Sequence, residues 1–172
     1  MRYSPTNQAR VSHAVTPKTL RPTAIARAYA AGLVDGEGCV QIIKHASKSR
    51  KHSTYRLRLE VAQNDLPTLV NFVHCVGVPA VVRAVKPDSS QRRQVWRVCY
   101  DGPQAYAVIR GIRRYLVRKR AEADVAIEFV RRGRIGLRPG SRGTPSGLWE
   151  FREQCYLQIR ELRHEGDATW AI

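Results

Sequence analysis

The sequence predicts an α+β domain built as helix, two strands, helix, two strands, helix, with extra helices at the C-terminal end. Three observations carry this. Residues 55–63 and 93–100 alternate large apolar with polar or charged residues at a period of two, as half-buried strands do. Helix-spaced segments with recognisable starts and stops precede each strand pair. Two antiparallel hairpins with helices on one side leave the other sheet face open, so one face should be core and the other charged. With 172 residues, 43% of them hydrophobic, the chain can form one domain with a substantial core.

Residues 1–22 carry Arg2, Arg10, Lys18 and Arg21 without an acid and are interrupted by Pro5, Pro17 and Pro22. They read as a basic, weakly structured arm, either a tail without a role or a segment that follows phosphates. The first helix is expected over residues 24–34, with Thr23 as its N-cap. Ala24, Ala28, Ala31 and Gly32 fall on or near one face of it. A stripe with almost no side chain lets a second backbone approach closely. Gly32 costs the helix about 1 kcal/mol relative to alanine, so it needs a packing reason. Gly36 and Gly38 are expected to break the helix and leave Glu37 at a tip, before a strand at 40–44. A carboxylate placed there, beside a helix–helix contact, is a candidate metal ligand. From spacing alone, a plain helix-to-strand turn with solvated Asp35 and Glu37 stands equally well.

A polar turn at 45–53 leads to the second strand, where Leu57, Leu59 and Val61 alternate with Arg56, Arg58 and Glu60. Asn64 or Asp65 can cap the next helix, with Pro67 in its first turn and Gly77 as its stop. Leu66, Leu69, Val70, Val73 and Val76 form its apolar face. The third and fourth strands are 80–86 and 93–100, joined by a turn at 87–90. On the fourth, Trp96, Val98 and Tyr100 are assigned to the core because aromatic side chains bury the most area. The open face then carries Gln41, Ile43, Arg56, Arg58, Glu60, Arg83 and Arg97, with His45 at its edge. Residues 101–103 stop the fourth strand. Helices follow over 104–114, with Tyr106, Ile109 and Ile112 inward, and 121–131, with Ala123, Ile127 and Val130 as its apolar side. A basic glycine-rich loop spans 132–143, and a last helix over 146–164 has Leu148, Phe151, Cys155, Ile159 and Leu162 as its stripe. The organisation is therefore an arm at 1–22, a core at 23–131, and at 132–172 a basic loop with a helix that packs on the core.

The net charge is +16, from 30 Lys and Arg against 14 Asp and Glu. That excess self-repels, and a polyanion relieves it, so nucleic acid is the first expected partner. No stretch is long and apolar enough to span a bilayer, and no secretory apolar region opens the chain, so an intracellular, non-secreted protein without a membrane partner is expected. Cytoplasm, nucleoid or organelle matrix would suit. Cys39, Cys75, Cys99 and Cys155 are widely separated and form no zinc pattern; Cys75 and Cys99 read as buried free thiols. The five histidines are scattered and make no metal cluster or dyad. Gln, Arg and Glu side chains on an open two-stranded ribbon have fixed donor and acceptor patterns that can pair with base edges in the major groove.

The run AAGLVDGEG at residues 30–38 resembles the LAGLIDADG motif of homing endonucleases. Ala30 stands at the first leucine position and is the one departure in chemical type; Glu37 takes the second acidic position. The resemblance covers residues 24–131 and implies an αββαββα fold with a four-stranded antiparallel saddle sheet. It implies a site-specific endonuclease that hydrolyses both strands of a long pseudo-palindromic double-stranded DNA target with divalent metal ions. One copy of the motif implies a homodimer, with Ala28, Ala31 and Gly32 at the two-fold helix contact and one Glu37 for each strand. The implied metal is Mg²⁺, with Mn²⁺ able to substitute, held by Glu37 and the Gly36 carbonyl, while Asp35 is a helix-end group. Gln63 matches the position of a polar residue that orients water at the metal, and Lys119 that of a basic residue acting at the scissile phosphate. Each of these two is otherwise a surface polar residue. A further basic residue expected just after the second strand is missing, since Pro67 and Thr68 occupy that region. Related domains also act as intron RNA maturases or as noncatalytic DNA-binding regulators, and these are the competing classes; intron RNA is the partner of the first.

Overall fold

The computed structural model describes residues 11–46, 53–85, 94–133, 135 and 145–168. In chain order the elements are β1 (Ser12–Val15), α1 (Ala24–Glu37), β2 (Gly38–His45), β3 (Thr54–Gln63), α2 (Leu66–Val76), β4 (Ala80–Ala84), β5 (Trp96–Asp101), α3 (Pro103–Ile112), α4 (Arg120–Arg132) and α5 (Ser146–Ala168). A single 3-10 turn, Arg113–Tyr115, joins α3 to the segment before α4. The turns expected at 87–90 and within 47–52, and most of the basic loop at 132–143, lie outside the described residues.

The sheet is antiparallel throughout, in the order β1-β4-β5-β3-β2. It has five strands rather than the expected four. The fifth comes from the segment that reads in sequence as an unstructured arm: Ser12 pairs with Arg83 and Val15 with Ala80. Four residues with little apolar alternation carry almost no strand signal of their own. They become a strand because the free edge of β4 offers an unpaired row of backbone donors and acceptors. On the helix side of β1, the His13 ring meets Trp96 edge to face with centroids 5.4 Å apart. Residues 1–10 of the same arm lie outside the described residues.

Period-two alternation divides the sheet as expected. Leu57, Leu59, Val61, Val82, Val98 and Tyr100 are buried under the helices. Ala30, Ala31 and Val34 of α1, Leu69, Phe72 and Val73 of α2, and Val108, Ile109 and Ile112 of α3 close the layer from above. Phe72 meets Tyr100 edge-on at 6.4 Å, and the Tyr100 hydroxyl donates to the Val78 carbonyl at 2.9 Å, so the largest core ring keeps its polar end satisfied. In α4 the core side is Ala123, Val125, Ala126 and Phe129; the expected Ile127 and Val130 are only half-buried, because α4 docks one step round its axis. The last helix does pack on the core, through buried Cys155 and Ile159. It also grips the turn end of the β2–β3 hairpin. Glu153 accepts from Lys44 at 2.7 Å and from the Tyr55 hydroxyl, two residues that face each other across the hairpin.

The helix ends follow local chemistry, with one departure. Thr23 caps α1 by accepting from the Ala26 N–H at 3.2 Å, and Asp65 caps α2 by accepting from Thr68 N–H at 2.9 Å. Gly77 ends α2 at φ +70°, a conformation that favours glycine. The expected break of α1 at Gly36 does not occur. The helix runs through Gly36 and ends with Glu37 as its last residue. Gly38 is the cap, at an ordinary φ of −84°, and its N–H bonds to the Val34 carbonyl. Its reason for being glycine is space: a Cβ there would lie 2.6 Å from the Val34 oxygen and 2.8 Å from its Cα. Gly38→Ala should therefore lose about 1–3 kcal/mol of stability to forced backbone movement, read as a lowered urea midpoint with unchanged slope. An unchanged midpoint would show that the α1–β2 junction yields without cost.

Candidate functional site

Glu37 is exposed at the end of α1, and its side chain makes no hydrogen bond or ion pair among the described residues. Gly36 is exposed beside it, and its carbonyl lacks a helical acceptor role because the residue four on, Val40, already belongs to β2. Asp35, by contrast, is fully engaged. Its carboxylate accepts the Val117 N–H at 2.8 Å and the Lys119 N–H at 2.9 Å. It is a helix-end anchor, as expected.

Lys119 answers that anchor. Its ammonium donates to the Val34 carbonyl at 3.0 Å and the Asp35 carbonyl at 2.7 Å. A cation is well placed there, because the last carbonyls of a helix carry its negative pole. Burial and the adjacent Arg118 charge lower the Lys119 pKa from its ordinary value. Lys119 therefore lies against the same turn of α1 that ends in Glu37. Gln63 ends β3, two residues beyond Val61, which pairs with Gly38. That register brings Gln63 to the same end of the sheet as the α1 terminus. Its Oε1 accepts from the Asn64 N–H at 3.0 Å, which turns the side chain back on its own strand. No hydrogen bond among the described residues joins Gln63 to Glu37 or Lys119.

The open sheet face is as the alternation predicts. Gln41 stands opposite Arg58, Ile43 opposite Arg56 and His45 opposite Thr54, while Arg97 stands between Ala62 and Arg83. Arg56, Arg83 and Arg97 are exposed. Two carboxylates break up this basic surface. Glu60 accepts from Arg97 Nε at 3.0 Å, and Asp101 takes Arg58 Nε and Nη2 at 2.8 and 3.0 Å. The Arg58 guanidinium holds the Asp101 carboxyl below its usual pKa. Cys39 and Cys99 flank Glu60 on the same face and are only half-buried, as is Cys75; the fully buried thiol is Cys155. The apolar neighbours of Cys99 in the sequence point to the opposite face, which is why sequence pattern alone puts it in the core. Burial and the Glu60 charge push its thiol up to about 11, which disfavours the reactive thiolate.

Of the residues assigned to a helix contact between two copies, Ala28 and Gly32 are exposed, and a Cβ at Gly32 would meet nothing within 4 Å. Ala31 is not available: it is fully buried in the chain's own core. It lies one residue, or about 100°, round the helix from Gly32, enough to turn it inward toward the sheet. The exposed face instead continues through Ile25, 83% exposed, Tyr29, 45% exposed, and Gly36, which also faces open space. The spacing of 25, 29, 32 and 36 is a legible signal for this face. Two acidic residues escape the sequence reading. Asp101 looks like a strand stop. Glu122, buried in the first turn of α4 three residues after Lys119, gives no signal beyond its place near a helix N-terminus.

A comparison with protein-family models finds no match, and one with curated proteins finds no significant match. Solved structures do match. The homing endonuclease I-CvuI in complex with its target is 19% identical, with TM-score 0.59 over 81% of this chain and 91% of that one. The same enzyme in complex with the I-CreI target is 18% identical, with TM-score 0.58 over 83% and 95%. The LAGLIDADG homing endonuclease I-GzeII in complex with its DNA target is 12% identical, with TM-score 0.53 over 78% of this chain and 43% of that longer chain. The chain has the LAGLIDADG homing endonuclease fold.

Asp35→Ala would strip two backbone N–H groups of their charged acceptor. It should cost about 2 kcal/mol and speed amide hydrogen exchange at Val117 and Lys119 while leaving the β3–β5 ladder protected. Equal loss of protection everywhere would mean that Asp35 does not hold this junction locally.

Proposed function

We propose that this protein is a site-specific DNA endonuclease of the homing type, acting as a homodimer on a pseudo-palindromic double-stranded target. One observation carries the reading. An exposed carboxylate, Glu37, with no ion pair among the described residues, ends a helix whose outward face is Ala28, Gly32 and Gly36, with open space at both glycines. Two such helices can pack with their backbones close, and two-fold packing brings two Glu37 carboxylates together at the axis. The basic sheet face then continues outward from that axis in each copy. The solved DNA complexes of proteins with this fold support the same partner.

Oxygen donors from Glu37 and the Gly36 carbonyl suit a hard divalent cation such as Mg²⁺, with Mn²⁺ able to substitute. Among the described residues no three His, Cys, Asp or Glu side chains of one chain form a metal site. The fit is therefore to a shared site, completed by the second copy and by phosphate oxygens. A bound cation supplies charge stabilisation and an activated water for phosphodiester hydrolysis. Lys119, pinned on the α1 carbonyls, brings a positive charge to the scissile phosphate without having to be ordered on binding. Gln63 offers its amide N–H₂ at the same end of the sheet, since its oxygen is already engaged. Arg56, Arg83 and Arg97 neutralise phosphates or reach base edges, while Gln41, Ile43, His45, Arg58 and Glu60 line the groove-facing surface. A DNA substrate is in keeping with an intracellular, non-secreted protein of the cytoplasm, nucleoid or an organelle matrix.

Incubation with a randomised duplex library in Mg²⁺ tests the activity. The native chain should make discrete double-strand cuts at a pseudo-palindrome. Glu37→Gln should lower the rate by roughly 100-fold or more, the scale of several kcal/mol of lost charge stabilisation, and Ca²⁺ in place of Mg²⁺ should leave binding without cutting. Enrichment of one duplex with no cutting in any metal would sink the enzymatic reading and leave a DNA-binding regulator. Association is tested separately by sedimentation: Gly32→Leu should convert a dimer into monomers, and a native chain that is monomeric both free and on DNA would rule out the homodimer.

A further inference from the structure

Carboxylates on a phosphate-binding surface weaken the charge attraction that holds DNA. Asp101 is nevertheless built firmly into this one. It is the last residue of β5 and stands directly opposite Arg58 in the ladder. The next residue, Gly102, turns the chain away at φ +54° while its N–H bonds to the Leu57 carbonyl at 2.8 Å. The backbone of Asp101 is thus held from both sides. Its two oxygens take Arg58 Nε at 2.8 Å and Nη2 at 3.0 Å, and Arg56 Nη1 comes within 3.9 Å of Oδ2.

This side-on pairing uses one edge of the guanidinium and leaves another. Nη1 and the remaining N–H of Nη2 form a second fork. Such a fork matches the O6 and N7 acceptors that guanine shows in the major groove. A free arginine must lose its rotamer freedom on docking, whereas Arg58 has lost it on folding. Arg97 is held by a single ion pair from its Nε to Glu60, and Arg83 makes no ion pair among the described residues. The three arginines therefore differ in how firmly their forks are aimed, and Arg58 is aimed most firmly.

We propose that Arg58 reads a guanine in each half-site and that Asp101 is the positioning residue that aims its guanidinium at that base. The proposal rests on the open face being the DNA-reading surface. It explains why a carboxylate is kept among arginines: it trades general affinity for discrimination at one base pair.

Selection from a randomised duplex library by the full chain, with Arg58→Lys and Asp101→Asn in parallel and folding checked by thermal melting, tests it. The native chain should select guanine at one position of each half-site. Both variants should lose that preference by about 5- to 100-fold, the value of one bidentate base contact, while the other positions keep theirs. Asp101→Asn should also bind unrelated duplexes more tightly, because a negative charge has gone. Arg83→Ala serves as comparison and should weaken binding while leaving the guanine preference at that position intact. Folded Asp101→Asn with its guanine preference intact, or with preference lost evenly at every position, would overturn the proposal. A native chain that selects no duplex at all would instead overturn the DNA reading, and the proposal with it.

Discussion

The C-terminal end of α1 is held by a reciprocal exchange with the turn before α4. Asp35 accepts the Val117 and Lys119 N–H groups, and the Lys119 ammonium returns to the Val34 and Asp35 carbonyls. Four charge-assisted bonds thus join two segments more than eighty residues apart in sequence. Such bonds are roughly twice as strong as neutral ones, and each leaves a helix-terminal or loop group satisfied. The position of Glu37 depends on this exchange. It is the last residue of the same helical turn, and the chain enters β2 immediately after it. A carboxylate with no partner among the described residues is aimed by the backbone that carries it.

The same junction links the outward face of α1 to the sheet. Gly38 packs against Val34 too closely for any side chain, so β2 leaves the helix at a set angle. Residues 39, 41 and 43 then project to the open face in register with 60, 58 and 56 of β3. At the far end of this hairpin, α5 clamps Lys44 and Tyr55 through Glu153. The open sheet face is thereby tethered at both ends, by the α1 junction and by a helix beyond the αββαββα core. On that face, Glu60 and Asp101 each hold an arginine, Arg97 and Arg58, in a fixed ion pair.

The edge strand β1 shows where local signals end. Ser12–Val15 has no alternation strong enough to predict a strand, yet it pairs along β4 and sets His13 on Trp96. Ala31 gives the converse lesson. It belongs to the small-residue stripe in sequence, but the docking of α1 places it in the core, and the outward face runs instead through Ile25, Tyr29, Gly32 and Gly36. One residue of helical offset separates the two faces, and a sequence pattern of small residues does not resolve it.

By itself the sequence determined the order of the main elements, the two faces of the sheet, most of the caps, and the place of the Asp35–Glu37 carboxylates at a helix-to-strand junction. These follow from periodicity and from the short-range chemistry of Thr23, Asp65 and Gly77, which a chain carries locally. Only the tertiary structure decided which groups meet: Asp35 with Val117 and Lys119, Asp101 with Arg58, Glu153 with Lys44 and Tyr55. Each pair is separated by forty or more residues. Hydrogen bonds of that span depend on how finished elements dock, and docking is set by the packing of the whole core rather than by any stretch of chain.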